Sequence, residues 1–498
     1  MLIKKLSTAF ARYLLAQNRK IDKSVLYCNK IAYIWYEKVL SLVDADFIHY
    51  YRKTTCFGQV VNMESQRYKI YDMKQNRKNF LKQLGTGLLA AGIPAIPFAV
   101  NAGEKGIDAN DFLDEGLPDD EQYWKRIARK YYAVADDYIN LENGYYGIQP
   151  KPVLQAFQKN IVTANEQAAR FARKDYPGIA AAVKKELAAF LEVSDEELII
   201  TRNATEALNI AIQGYPFKPG DEVLLNQLDY FSMIETFKML ETRGLLKVNT
   251  LDMPLQPLND DEIVEQYRKG ITEKTKVILL THVSNINGLI IPVAKIAAMA
   301  RASGIDTITD SAHALGQIKF SLPQLATDFV GLNLHKWIGN PVGAGVLYIK
   351  KERIKEMRPL FGDVAAAENS INKLAHFGTT PFAVVMTIPD SLAFHRMLGI
   401  EKIAKRLHYL KTTWLDAVKD HPQVEVVTPV NLSAAIASFR IKNKTAAEVV
   451  DYLFKEHKIF TVARQLGKQG CVRVTPGIYN SAADVQKLAE AIKLLADQ

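Results

Sequence analysis

Past Asp108 the chain alternates short apolar runs with helical stretches, and this alternation limits the fold more than any other feature. Residues 198–201, 222–226, 276–281 and 306–309 read as buried strands. Residues 203–212, 232–243, 263–269 and 293–303 read as the helices between them. Such alternation predicts an α/β domain with a mostly parallel sheet and helices on both faces. Beyond about residue 385 the pattern changes to long helices over 386–419, then strands near 424–427 and 434–441. That change predicts a smaller α+β domain over 381–498 beside a large domain over 176–380. Residues 103–175 are expected to contribute to the small domain, with 138–174 as its contributing part.

The front of the chain reads differently. The net charge of +9 arises there: residues 1–102 carry 16 Lys and Arg against 6 Asp and Glu, and the remainder stands at −1. A nearly neutral body gives no support to a nucleic-acid partner. From Met73 a basic stretch leads into an uncharged run over 84–100, closed by Val100-Asn101-Ala102. This predicts an export signal over 73–102, in a run short for a stable membrane span. Asn76-Arg77-Lys78-Asn79-Phe80-Leu81-Lys82 resembles a twin-arginine signal in which Lys78 replaces the second arginine, and it implies a periplasmic destination. Met73 is then the expected start, with 1–72 an unassigned leader from upstream translation. Three cysteines, Cys28, Cys56 and Cys471, make no disulfide framework, and no Cys-x-x-Cys pair points to zinc.

Two clusters carry the chemistry. Asp310-Ser-Ala-His313 follows one strand, and Asn333-Leu-His335-Lys336-Trp337 follows another. Parallel sheets bind ligands at the carboxyl ends of their strands, so both clusters should face one crevice. A lysine and a buried acid there suit pyridoxal phosphate. The amine condenses with its aldehyde, and the carboxylate keeps the pyridine nitrogen protonated.

Together with Thr201-Arg-Asn203-Ala204-Thr205-Glu206, Phe377-Gly378-Thr379-Thr380 and Cys471-Val-Arg473-Val-Thr-Pro, these clusters resemble the class V aminotransferases, which are fold-type I pyridoxal-phosphate enzymes. The resemblance runs from about Tyr138 to the C-terminus, and its motif wording is similar to the isopenicillin-N-epimerase-like branch. It implies Lys336 as the lysine that bonds the cofactor, Asp310 as the pyridinium partner and His313 beside the phenolic oxygen. It implies Ala204, Thr205, Asn333 and His335 as phosphate contacts, and Thr379 as a contact to the phosphate of a neighbouring subunit in a homodimer. Tyr230 is the ring-stacking candidate, and Arg473 the carboxylate grip, with Asn143 and Tyr146 edging the substrate pocket.

The implied reaction begins at the α-carbon of an amino acid held as an external aldimine, from which transamination, epimerisation or elimination can follow. Residues 463–470 contain no cysteine and Cys471 reads as part of a strand, so a persulfide-forming desulfurase is disfavoured, whereas a cysteine-independent C–S lyase is not. A cofactor-binding sensor without turnover is the contrasting class. The set Lys336, Asp310, His313 and Arg473 argues against it.

Overall fold

The computed structural model describes residues 107–112, 116–362 and 366–498. The expected leader over 1–72 and export signal over 73–102 lie outside the described residues. Among those described, the strands are β1 (Ile139–Asn140), β2 (Leu198–Thr201), β3 (Glu222–Asn226), β4 (Lys247–Leu251), β5 (Thr275–Thr281), β6 (Asp306–Asp310) and β7 (Phe329–Asn333). They continue with β8 (Gly345–Ile349), β9 (Val424–Val426), β10 (Ala437–Ile441), β11 (Ile459–Phe460), β12 (Val462–Arg464) and β13 (Cys471–Val474).

Seven of these form one sheet in the order β2-β8-β7-β6-β5-β3-β4. Every neighbouring pair is parallel except the two made by β8, which runs against β2 and β7. The apolar runs are continuous because both faces are covered, and a strand's period of two divides them. Ile278, Leu280, Val330, Leu332 and Val346 pack in one core. Their chain neighbours Val277, Leu279, Phe329 and Leu347 pack in the other. The helices Ala204–Gly214 and Phe231–Thr242 cover the second face, while Tyr176–Phe190, Asp260–Gly270 and Val293–Ala302 cover the first.

The C-terminal part holds the antiparallel sheet β12-β13-β10-β9. Val472, Val474 and Phe439 bury against the helices Ile400–Val418, Ala446–His457 and Ala482–Ala496.

The long helices expected over 386–419 are Ile388–Leu398 and Ile400–Val418, which meet at Gly399, whose φ of +85° breaks the helical path. One detail differs from the sequence expectation, since residues 138–174 divide. β1 pairs in parallel with β11 of the C-terminal part, but the helix Lys151–Arg170 packs through Phe157 onto the core of the large sheet. Among the described residues no helix is long and apolar enough to cross a membrane.

Candidate active site

The sheet register brings the predicted residues to one edge. Thr201 and Asn333 both stand opposite Gly345, Asp310 opposite Gly331, and Thr281 opposite Asp310. The carboxyl ends of β2, β5, β6 and β7 therefore share a rim, as strand polarity demands of a ligand crevice.

Lys336 follows β7. Its Nζ lies 2.9 Å from His313 Nε2. Although Lys336 keeps some solvent access, its amine is enclosed, and burial lowers the amine pKa to about 7 against the opposing charge of Asp310. His313 is buried, and burial together with the Lys336 charge keeps its imidazole neutral. Its Nδ1 has no hydrogen-bond partner among the described residues.

Asp310 ends β6 and is 4% exposed. Its Oδ1 accepts the Ala312 N–H at 2.9 Å. Burial raises its pKa, and the Ala312 bond and the Lys336 charge oppose that rise. Burial thus presses Asp310 and Lys336 toward neutrality, and each charge offsets part of the other's penalty.

The helix Ala204–Gly214 starts just past β2. Asn203 caps it by accepting the Glu206 N–H at 2.9 Å. The Ala204 N–H donates to Asn333 Oδ1 at 2.8 Å, so two residues expected to face a phosphate are bonded to each other. Thr205 is left with its N–H and hydroxyl on the first turn, where a helix end favours an anion. Gly345 makes this junction close-packed. A Cβ there would lie 2.4 Å from the Asn203 carbonyl carbon and 2.9 Å from the Ala204 nitrogen. His335 Nδ1 donates to Ala344 O at 3.2 Å, and burial brings the His335 pKa down to about 4.

Tyr230 is half-buried at the start of the helix Phe231–Thr242, and burial, followed by the nearby Asp310 charge, raises its phenol pKa. The loop after β1 lies against Lys336. The Gly147 N–H donates to His335 O at 3.0 Å, and a Cβ on Gly147 would come within 2.4 Å of Lys336 O. On that loop Tyr146 is exposed, and Asn143 is buried with its amide held by Thr475 O at 3.0 Å and by the Tyr479 hydroxyl. Thr379 is exposed, two residues before Pro381, and no described contact joins it to Lys336 in the same chain.

Arg473 in β13 is 1% exposed and is bonded to Glu142, a residue that composition and motif reading passed over. Glu142 stands in the polar stretch Asn140-Leu141-Glu142-Asn143, where nothing in the sequence marks it as buried. Arg464 of β12 also reaches Glu142, at 3.3 Å. Cys471 is fully buried in β13, where burial raises its thiol pKa.

Residues 147–488 match the family model described as aminotransferase class V. The chain belongs to the class V aminotransferase family. This class V enzyme is 26% identical over 392 residues to an isopenicillin N epimerase of Amycolatopsis lactamdurans, covering 74% of the chain and 98% of that protein. It is 25% identical to a probable cysteine desulfurase of Halalkalibacterium halodurans, with 73% and 96% covered. The apo structure of a cysteine desulfurase from Thermococcus onnurineus NA1 superposes with a TM-score of 0.67 at 22% identity, over 75% of this chain and 98% of that one, which shows the fold. The cofactor of this family is pyridoxal phosphate, and the class V chain is an enzyme that uses it. The residues present fit that group: an enclosed amine, a buried carboxylate on the adjoining strand, an unpartnered His313 Nδ1 and an anion-favouring helix start.

Proposed function

We propose that this class V enzyme inverts the α-carbon of an amino acid, with Lys336 as the base. The observation that carries the reading is the 2.9 Å contact between the Lys336 amine and the neutral, buried His313 imidazole. Bound pyridoxal phosphate supplies the electron sink that makes an α-proton removable. Lys336 would hold its aldehyde carbon, Asp310 its ring nitrogen, and Thr205, Asn333 and His335 its phosphate, with Tyr230 against the ring. Lys336 takes the α-proton from one face of the α-carbon, with its amine held against His313 Nε2 across the short contact. Inversion is completed by a proton delivered to the opposite face, which in D2O is a deuteron. The first-named relative, an epimerase, supports the same reading.

Transamination is the second reading, supported by the description of the matched family. Sulfur removal through a protein persulfide is not proposed, because Cys471 lies in a buried strand. A C–S lyase reaction that uses no cysteine stays as an outcome of the test.

We further read the working unit as a homodimer, supported by exposed Thr379 and by the exposed rings of Tyr145, Tyr146 and Phe231. The testing experiment incubates the holoenzyme with an amino-acid panel in D2O. Inverted, α-deuterated amino acid without keto acid supports epimerisation. Keto acid formed only with an added acceptor establishes transamination instead, and sulfide or ammonia establishes elimination.

A further inference from the structure

Arg473 already holds a carboxylate that belongs to the protein. Its Nε donates to Glu142 Oε2 at 3.3 Å, its Nη2 donates to Oε1, and its Nη1 donates to Asn285 O at 2.9 Å. Glu142 is 7% exposed. Its Oε2 also accepts the Thr475 hydroxyl at 3.2 Å, and its Oε1 also accepts Arg464 Nη2 at 3.3 Å. A guanidinium has five N–H donors. Glu142 and Asn285 take three of them, and one on each terminal nitrogen of Arg473 is left without an acceptor among the described residues. Two arginines face one glutamate, so the cluster keeps an excess of one positive charge. That excess reaches the site, because the charges of both Arg473 and Arg464 act on Lys336 and His313. Gly144 lets the loop close over this pair, since a Cβ there would stand 3.1 Å from Arg473 Nη2.

We infer that Glu142 is a positioning residue which occupies one side of the Arg473 fork and leaves the remaining N–H groups of Arg473, with Arg464, to receive one ligand carboxylate. A lone buried arginine would turn either side of its fork to an incoming anion. Glu142 blocks one side, so the α-carboxylate has one place to dock and the α-carbon one orientation toward Lys336. The excess of a single charge matches a monoanionic group, and an amine without a carboxylate gains nothing from it. The inference rests on the proposed amino-acid chemistry only in taking the ligand to be an amino acid.

The test uses the pyridoxal-phosphate-loaded protein and three probes: propionate by calorimetry, and L-alanine and ethylamine by the visible absorbance of the cofactor. Glu142→Gln removes the resident anion with little change of shape. It is expected to bind propionate and L-alanine at least threefold more tightly, to leave ethylamine unchanged and to slow α-proton exchange from L-alanine at least tenfold. Glu142→Asp keeps the charge and should stay within twofold of the wild type for propionate. Unchanged or weaker propionate binding by a Glu142→Gln protein that keeps its cofactor band overturns the inference, and so does tighter binding with α-proton exchange undiminished, since Glu142 would then only compete for Arg473 without orienting the ligand. Should that variant not fold, Arg464→Gln carries the test: removing the excess charge must weaken propionate at least threefold, and unchanged affinity overturns the inference. Wild-type protein that binds propionate with the Glu142 dependence, yet exchanges no α-proton from any amino acid, overturns the proposed function alone.

Discussion

Lys336 Nζ and His313 Nε2 meet at 2.9 Å inside a site where burial favours the uncharged form of both. A protonated amine does not attack an aldehyde, so capture of pyridoxal phosphate by cofactor-free protein should speed up as pH rises toward about 7 and then level off. An unshifted lysine would keep gaining up to about pH 10.4. Stopped-flow absorbance between about pH 5.5 and 9 reads the profile, and a rate still climbing at the upper end contradicts it. Stability follows with a defined sign. The unfolded amine holds its proton up to 10.5 and the folded one releases it near 7, so the penalty from Lys336 is full below 7 and fades as pH rises toward 10.5. The Lys336→Met substitution should accordingly raise the melting temperature of cofactor-free protein more at about pH 6 than at about pH 9.

Asp310 provides the second prediction. In an Asp310→Asn variant the side-chain amide oxygen can still accept the Ala312 N–H, so the turn should survive while the charge is lost. We expect the cofactor to remain bound after dialysis and α-proton exchange to fall by about a hundredfold or more, the scale seen when a preorganised electrostatic group is removed. The Asp310 charge also supports the protonated form of Lys336, so its removal should move the capture profile to lower pH. An unchanged profile would show that the two groups do not act on each other.

Much of this site was legible because strand ends are where an apolar run stops and polar residues begin. Asp310 closes β6 and Asn333 closes β7, and both stood out as polar residues after buried runs. The pairing of Glu142 with Arg473 was not legible. The two are 331 positions apart, and the loop after β1 has neither periodicity nor repeated spacing to mark its acid as buried. The bond between Ala204 and Asn333 was hidden for the same reason, being a contact across 129 positions. β4 was missed because it is an edge strand, and Lys247, Asn249 and Thr250 give it the polar look of an edge. β1 and β11 have two residues each, too short for a period of two to register.

Gly345 provides a packing prediction. Gly345→Ala would place a Cβ 2.4 Å from backbone of Asn203, where no flexible side chain can yield. The helix start must shift, at a destabilisation of about 1–3 kcal/mol, the usual range for overpacking. Cofactor affinity should fall with it, because Thr205 rides on that first turn. Asn203→Ala, which loses the cap to Glu206, should cost about 0.5–2 kcal/mol. Thermal melts and cofactor titrations separate the two: stability lost with cofactor affinity intact in Gly345→Ala would mean that the helix start does not hold the phosphate.

The proposed homodimer predicts that Thr379 serves the site of the neighbouring subunit. Thr379 is exposed in the single chain, and among the described residues no hydrogen bond joins it to a group around Lys336, as expected of a residue that served a neighbour's site. Lys336→Ala and Thr379→Val each put one fault into every site of their own homodimer. If Thr379 acts across the interface, a mixed dimer holds one site with both faults and one with neither. Co-refolding the two variants in equal amounts should then restore about a quarter of the wild-type sites, since half the dimers are mixed and each has one intact site. If Thr379 acts within its own chain, each site of a mixed dimer still carries one fault, and activity stays at the mean of the two parents. The α-proton exchange rate of the mixture, set against that mean, distinguishes the two arrangements.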